Sequence, residues 1–287
     1  MLTRDSRHRP ERAAAIEAVS RGLDLALSRD GADDIRSKGG RDLVTAADVA
    51  VEETVRSVLT AASGFPVIGE EGGGRAEPGT PYWLVDPICG TTNYAFGIPL
   101  FAVNVALVED GEPVIGAVGD GSTGAILLAE RGQGAFVATD GAWRPVAVNT
   151  ESKLVVLEGW PRTGVERAGA ARWAMDALRA NRWDVRSFGT TLTLAHLAAG
   201  RVAACIFFAA PALHVAAGVA LAREAGATVT DRSGLPWTVD SGSLIAAAEP
   251  ELHRDLCEMV RETPVIPSSR HGHGSRVPRL VEGPPRR

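Results

Sequence analysis

The sequence predicts a mixed fold, an α+β half followed by an α/β half. Three observations predict it. Two helical periodicities open the chain, a run of short apolar strands follows, and strands alternate with helices from about Ala147 onward.

In residues 12–27, Ala, Ile, Val and Leu recur at three- and four-residue spacing, which predicts a helix with one apolar face. The polar stretch 28–42 reads as a loop. Thr45 can cap a second helix with Asp48 at its third position, and Val51, Val55, Val58 and Leu59 supply that helix's apolar face. FPVIG (65–69), YWLVD (82–86), FAVNVALVED (101–110), PVIGAVGD (113–120), ILLAE (126–130) and GAFVA (134–138) read as buried or half-buried strands between Gly-rich turns. The order then becomes strand 154–159, helix 167–180, strand 184–188, helix 192–199, strand 202–208 and helix 215–225. The expected organisation is an α+β lobe over 11–146 and an α/β lobe over 147–262. A basic tail over 263–287, rich in Pro, Gly, Ser and Arg, has nothing to bury and reads as disordered. That tail holds His271 and His273, a weak signal for metal.

Composition narrows the function classes. A net charge of -5 gives no reason to expect nucleic acid as a partner. Five arginines and one glutamate lie in the tail, so the body is more acidic than the whole. Cys89, Cys205 and Cys257 are odd in number and widely spaced, so neither a disulfide framework nor a CxxC metal pair is expected. A reducing, cytoplasmic setting follows. The charged start MLTRDSRHRPER reads as neither signal peptide nor anchor, and no apolar run is long enough to span a bilayer.

Three segments place acids where apolar runs or helices begin or end: DLVTAAD (42–48), IGEEGG (68–73) and DPICGTTNY (86–94). Carboxylates at one edge of a sheet suit a hard cation such as Mg²⁺. Gly90 lets backbone N–H groups approach an anion, and a short helix opening at Thr91 or Thr92 offers free N–H groups to phosphate. Acids for a metal beside N–H groups for a phosphate suit metal-assisted phosphoester hydrolysis. The spacing alone equally allows Asp86 as a turn cap and Glu70 and Glu71 as solvated loop acids.

WLVDPICGTTNY (83–94) matches the pattern W-[IV]-[IV]-D-P-[IL]-D-G-T-x-N-[FY] at all but one position, with DLVTxxD and GEE upstream in order. On these motifs the span 12–261 resembles the inositol monophosphatase family. The resemblance implies a layered αβαβα sandwich and Mg²⁺-supported hydrolysis of a small-molecule phosphate monoester, commonly by a homodimer. It implies a first metal held by Glu70, Asp86 and the Ile88 carbonyl. Thr91, paired with Asp48 and beside Glu70, would orient the attacking water. Gly90, Thr91 and Thr92 would hold the phosphate, while Gly189, Thr190 and His214 would face the substrate.

Two departures stand out. The family's second central acid is Cys89 here, and its downstream W-D-x-A-A-G signature reads Leu213-His214-Val215-Ala216-Ala217-Gly218. The second-metal set becomes Asp86, Cys89 and His214. Either it is a soft site suited to Zn²⁺, or the second site is empty, with Cys89 as a small buried filler and His214 as a polar residue at a helix start. The matching functions are a divergent phosphomonoesterase or a catalytically degenerate relative that binds a phosphorylated ligand or performs non-hydrolytic chemistry. A purely structural partner subunit is a third. Phe207 and Phe208 stand where the family often carries an acid that meets substrate hydroxyls, which suggests packing on an apolar or planar ligand as well as simple core burial.

Overall fold

The computed structural model describes residues 9–29, 35–39, 42–159 and 164–261. The basic tail and its two histidines lie outside the described residues.

The first helix, α1 (Pro10–Leu27), starts with Pro at its first position, where a missing N–H costs nothing. A short antiparallel hairpin follows, β1 (Arg36–Gly39) and β2 (Asp42–Val44), where the sequence predicts a loop. Its first strand, RSKG, has no apolar alternation to betray it. Helix α2 (Ala46–Ser63) opens with the expected capping box between Thr45 and Asp48, and Val51, Val55 and Leu59 are fully buried. Then come β3 (Val67–Gly69), β4 (Tyr82–Cys89), the short helix α3 (Thr91–Ala95), β5 (Ala102–Glu109), β6 (Glu112–Asp120), β7 (Ile126–Glu130), β8 (Gly134–Thr139) and β9 (Ala142–Val146). These strands form one seven-stranded sheet in sequence order, parallel only between β3 and β4.

The remaining elements are β10 (Leu154–Glu158), α4 (Gly164–Ala180), β11 (Asp184–Arg186), α5 (Leu192–Ala198), β12 (Ala204–Phe207), α6 (Ala212–Glu224), β13 (Thr228–Thr230), β14 (Leu244–Ala247) and α7 (Pro250–Arg261). Their five strands form a second sheet ordered β11-β10-β12-β14-β13, parallel around β10 and antiparallel around β14.

Three apolar clusters define the layers. Ala15, Val19 and Leu23 of α1 and Val51 and Val55 of α2 pack with Trp83, Val85 and Val105 on one face of the first sheet. The opposite face, through Leu84, Ala102 and Ala106, packs with Leu194 of α5, Val219 of α6 and Cys205 of the second sheet. Beyond it, Val155 and Ile206 meet Trp173 of α4 and Leu256 of α7. The result is the layered αβαβα sandwich, with α5 and α6 between two sheets. That position explains why α6 reads VAAGVALA, apolar on every side. Its backbone approaches β6 so closely that a Cβ on Gly116 would lie 2.3 Å from the Ala217 carbonyl oxygen.

Among the described residues no helix is long and apolar enough to cross a membrane.

Candidate active site

A bulge at the end of β4 builds the site. Asp86 pairs with Asn104 of β5, and Cys89 pairs with Ala102, so three steps on one strand oppose two on the other. In a regular strand, residues three apart point to opposite faces. The extra residue at Pro87–Ile88 turns Cys89 back to the face that carries Leu84, while Ile88 joins the opposite core. Asp86 and Cys89 therefore share the face that looks toward α6. Pro87 sits in the bulge, where no ladder N–H is needed. Gly90 then takes φ 104°, and a Cβ there would lie 2.9 Å from the Leu100 carbonyl oxygen, so only glycine fits the turn into α3.

Asp48 is buried at the start of α2. Its Oδ2 accepts the Thr45 N–H at 2.8 Å and the Thr45 hydroxyl at 2.7 Å. Its Oδ1 lies 3.3 Å from the Thr91 hydroxyl, which also lies 3.0 Å from the Ile88 carbonyl oxygen. Burial raises the Asp48 carboxyl above its ordinary range, and nearby Asp86 adds to the rise; the Thr45 and Thr91 hydrogen bonds work against it. The Asp48–Thr91 pair is thus assembled by a helix cap and a bulge, 43 residues apart.

Glu70 follows β3 on a loop held by a residue that sequence reasoning misses. Buried Glu52 of α2 accepts the backbone N–H groups of Glu71 at 2.6 Å and Gly72 at 2.8 Å. Arg56, one turn on, pairs with Glu52 at 2.9 Å and donates to the Val67 and Gly73 carbonyls. No local motif marks Glu52; only a buried acid on the apolar side of an amphipathic helix hints at it.

On the other side, His214 sits in the first turn of α6, which begins at Ala212, three residues earlier than its apolar pattern suggests. Its Nδ1 stands 2.7 Å from Asp86 Oδ2 and 4.0 Å from Glu70. Cys89 Sγ accepts the Thr191 hydroxyl at 2.9 Å and the Thr191 N–H at 3.3 Å. Asn104 Nδ2 donates to Thr191 Oγ1 at 2.9 Å, which directs that hydroxyl's proton toward the sulfur. Burial pushes the Cys89 thiol well up, and the Asp86 charge pushes it the same way.

These groups line one cleft of about 810 Å³, together with Gly90, Thr91, Thr92, Gly189, Thr190, Phe207, Ala209 and Pro211. Glu70, Asp86, Ile88, Cys89, Gly90, Thr91, Thr92, Gly189, Thr190 and His214 all border the cleft, and Asp48 reaches it through Thr91; Glu71 does not border it. The two phenylalanines separate. Phe207 borders the cleft but is only 3% exposed, whereas Phe208 turns to the far side of the second sheet and meets Trp173 edge-on. Successive strand residues face opposite ways, so at most one could meet a ligand. The sequence also gives no sign of Glu158. This buried acid at the end of β10 accepts the N–H groups of Phe188 at 2.6 Å and Gly189 at 3.1 Å, fixing the Gly189–Thr191 loop. Burial raises its carboxyl to about 7.

The two candidate cation positions differ in chemistry. Glu70, Asp86 and the Ile88 carbonyl offer oxygen only. Asp86 is fully buried, and its Oδ1 makes no hydrogen bond among the described residues, a deficit that a cation removes. That set fits Mg²⁺. Asp86, Cys89 and His214 bring one oxygen, one sulfur and one nitrogen within 4.8 Å of one another. That set does not fit Mg²⁺.

Comparison with known proteins identifies the family. The model of the inositol monophosphatase family matches residues 8–264. An inositol-1-monophosphatase ImpA of Mycolicibacterium smegmatis is 38% identical over 266 residues, covering 88% of this chain and 95% of that protein. A histidinol-phosphatase of Mycobacterium tuberculosis is 35% identical, covering 77% of this chain and 87% of that protein. Among solved structures, the extragenic suppressor protein suhB from Bartonella henselae superposes with a TM-score of 0.78 at 28% identity, covering 87% of this chain and 98% of that one. A family model spanning nearly the whole chain, with the same layered fold and the ordered acid motifs on one cleft, places this protein in the inositol monophosphatase family, a family of phosphomonoesterases.

Proposed function

We propose that this chain hydrolyses a small-molecule phosphate monoester with Mg²⁺ held by Glu70, Asp86 and the Ile88 carbonyl, and that its second metal position is altered. The observation that carries this reading is the convergence of Glu70, Asp86 and the Asp48–Thr91 pair on one cleft beside the Gly90 turn. A Mg²⁺ held there would supply Lewis-acid polarisation of a phosphoryl oxygen and a lower pKa for the attacking water. Thr91 orients the attacking water through its hydroxyl, and Asp48 accepts from that hydroxyl. Glu70 borders the same cleft. The N–H groups at Gly90, Thr91 and Thr92 face the phosphate. Gly189 and Thr190, fixed by Glu158, face the alcohol portion of the substrate, and His214 borders the same cleft.

The names of the relatives support a polar phosphate ester such as an inositol or histidinol phosphate. The resemblance supports a homodimer, and three buried free thiols support a reducing, cytoplasmic setting. Phosphate release should be assayed on inositol, sugar, nucleotide and histidinol phosphates with Mg²⁺, Mn²⁺ or Zn²⁺. Release from at least one ester supports the reading, and release from none removes it.

One observation favours a second reading, a degenerate member that only binds a phosphorylated ligand. His214 already occupies one oxygen of Asp86. A phosphorylated ligand bound without turnover would select this alternative.

A further inference from the structure

We infer that Asp86, Cys89 and His214 form a soft cation site selective for Zn²⁺ over Mg²⁺. This deepens the altered second position proposed above, and it stands whether or not the chain releases phosphate.

Four observations carry it. The bulge in β4 brings Asp86 and Cys89 to one face, and the first turn of α6 brings His214 opposite them, so one oxygen, one sulfur and one nitrogen lie within 4.8 Å. Ligand atoms around a tetrahedral Zn²⁺ lie about 3–4 Å apart, given bonds of roughly 2.0–2.3 Å. The three ligand atoms straddle that spacing, with His214 Nδ1 2.7 Å from Asp86 Oδ2 and all three within 4.8 Å of one another.

The sulfur is furnished as an acceptor. Thr191 sends both its N–H and its hydroxyl to Sγ, and buried Asn104 fixes that hydroxyl from behind. Donors aimed at sulfur are the kind of outer support that metal ligands receive.

The carboxylate is short of a partner. Asp86 is fully buried, and one of its oxygens has no hydrogen bond among the described residues. A cation supplies what is missing.

Finally, all three residues border the cleft, and His214 retains 33% side-chain exposure, so an ion can enter and keep a fourth position for water or a ligand oxygen. Three protein ligands with one open position is the arrangement of reactive zinc sites, and thiolate with imidazole disfavours Mg²⁺. On binding, the sulfur–metal bond replaces the thiol S–H bond and the proton passes to solvent.

The test is a metal titration of the full chain after chelation, in a His271→Ala/His273→Ala background that removes the tail's own imidazoles. Co²⁺ serves as the spectroscopic stand-in for Zn²⁺. The expected result is one Co²⁺ per chain with a thiolate-to-metal charge-transfer band, displaced by Zn²⁺ and untouched by excess Mg²⁺. Cys89→Ser should abolish the band. His214→Ala should weaken Zn²⁺ binding by about 100-fold, the upper end of what even outer-shell losses cost. A parent spectrum without the band overturns the inference, and needs no variant to fold. A band unchanged in Cys89→Ser also overturns it, because the thiolate would then be Cys205 or Cys257. Phosphate release with Mg²⁺ alone, measured separately, reports on the hydrolytic reading without bearing on this one.

Discussion

His214 Nδ1 and Asp86 Oδ2 stand 2.7 Å apart, so an imidazole lies against a buried carboxylate at the cleft. In a two-acid arrangement the pair repels itself until a divalent cation arrives. Here the imidazole hydrogen-bonds to the carboxylate, and the neighbouring ligand atom is sulfur. The first cation position, by contrast, retains its oxygen donors.

Exchanging both altered residues should move the site back toward a hard cation. Cys89→Asp combined with His214→Asp is expected to raise Mg²⁺-dependent phosphate release at least about tenfold, because a second Mg²⁺ can then stabilise the leaving oxygen. Steady-state kinetics against Mg²⁺ concentration checks this. Identical curves for parent and variant would show that the second position does not limit turnover.

Thr91 is assigned to orient the nucleophile, so Thr91→Ala should lower kcat by about 10²–10³ while leaving the fold intact. Thr45 caps α2 and also holds Asp48. Thr45→Ala should therefore cost about 1 kcal/mol of stability, read from a urea midpoint, in addition to lowering kcat. A stability loss without a kinetic effect would detach the cap from the site.

Glu52 acts on the first cation position only through the loop it ties down. Glu52→Gln weakens the acceptors for the Glu71 and Gly72 N–H groups and releases Arg56. The half-saturating Mg²⁺ concentration should rise about 10–100-fold, with a smaller change in kcat at saturating metal. A titration of activity with Mg²⁺ separates the two effects.

Glu158 gives the protein a pH signature. Burial raises its carboxyl from 4.5 to about 7, so the folded state holds this proton more tightly than the unfolded chain does. Its stabilising contribution is fully present below about pH 4.5 and is lost as pH rises through about 7. The loss is about 3 kcal/mol at most. Urea midpoints at pH 5 and pH 8 should differ less in Glu158→Gln than in the parent. An unchanged difference would place the titration elsewhere.

Elements with a strong period were legible from the sequence: α1, the capped α2, and the apolar strands from Val67 to Thr139. The hairpin β1–β2 carries charge instead of alternation, and β9 contains Pro145, so neither announces itself. Strands β13 and β14 are three and four residues long, too short for a period to emerge. Site legibility divides in the same way. Asp86, Cys89 and Thr91 lie within six consecutive residues and read as a motif. Glu52, Asn104 and Glu158 act across separations of 19, 87 and 30 residues, and only the folded layers bring them to their partners. The face shared by Asp86 and Cys89 was equally hidden, since it depends on a one-residue bulge.

The central claim is hydrolysis that depends on Mg²⁺ and on the Asp48–Thr91 pair. Its most direct measurement is inorganic phosphate release from an inositol or histidinol monophosphate by the full chain, with Mg²⁺ or with chelator, beside Thr91→Ala. The account predicts release with Mg²⁺, lost with chelator and reduced at least about 100-fold in the variant. Release that is equal in parent and variant, or absent from the parent with every metal, contradicts it.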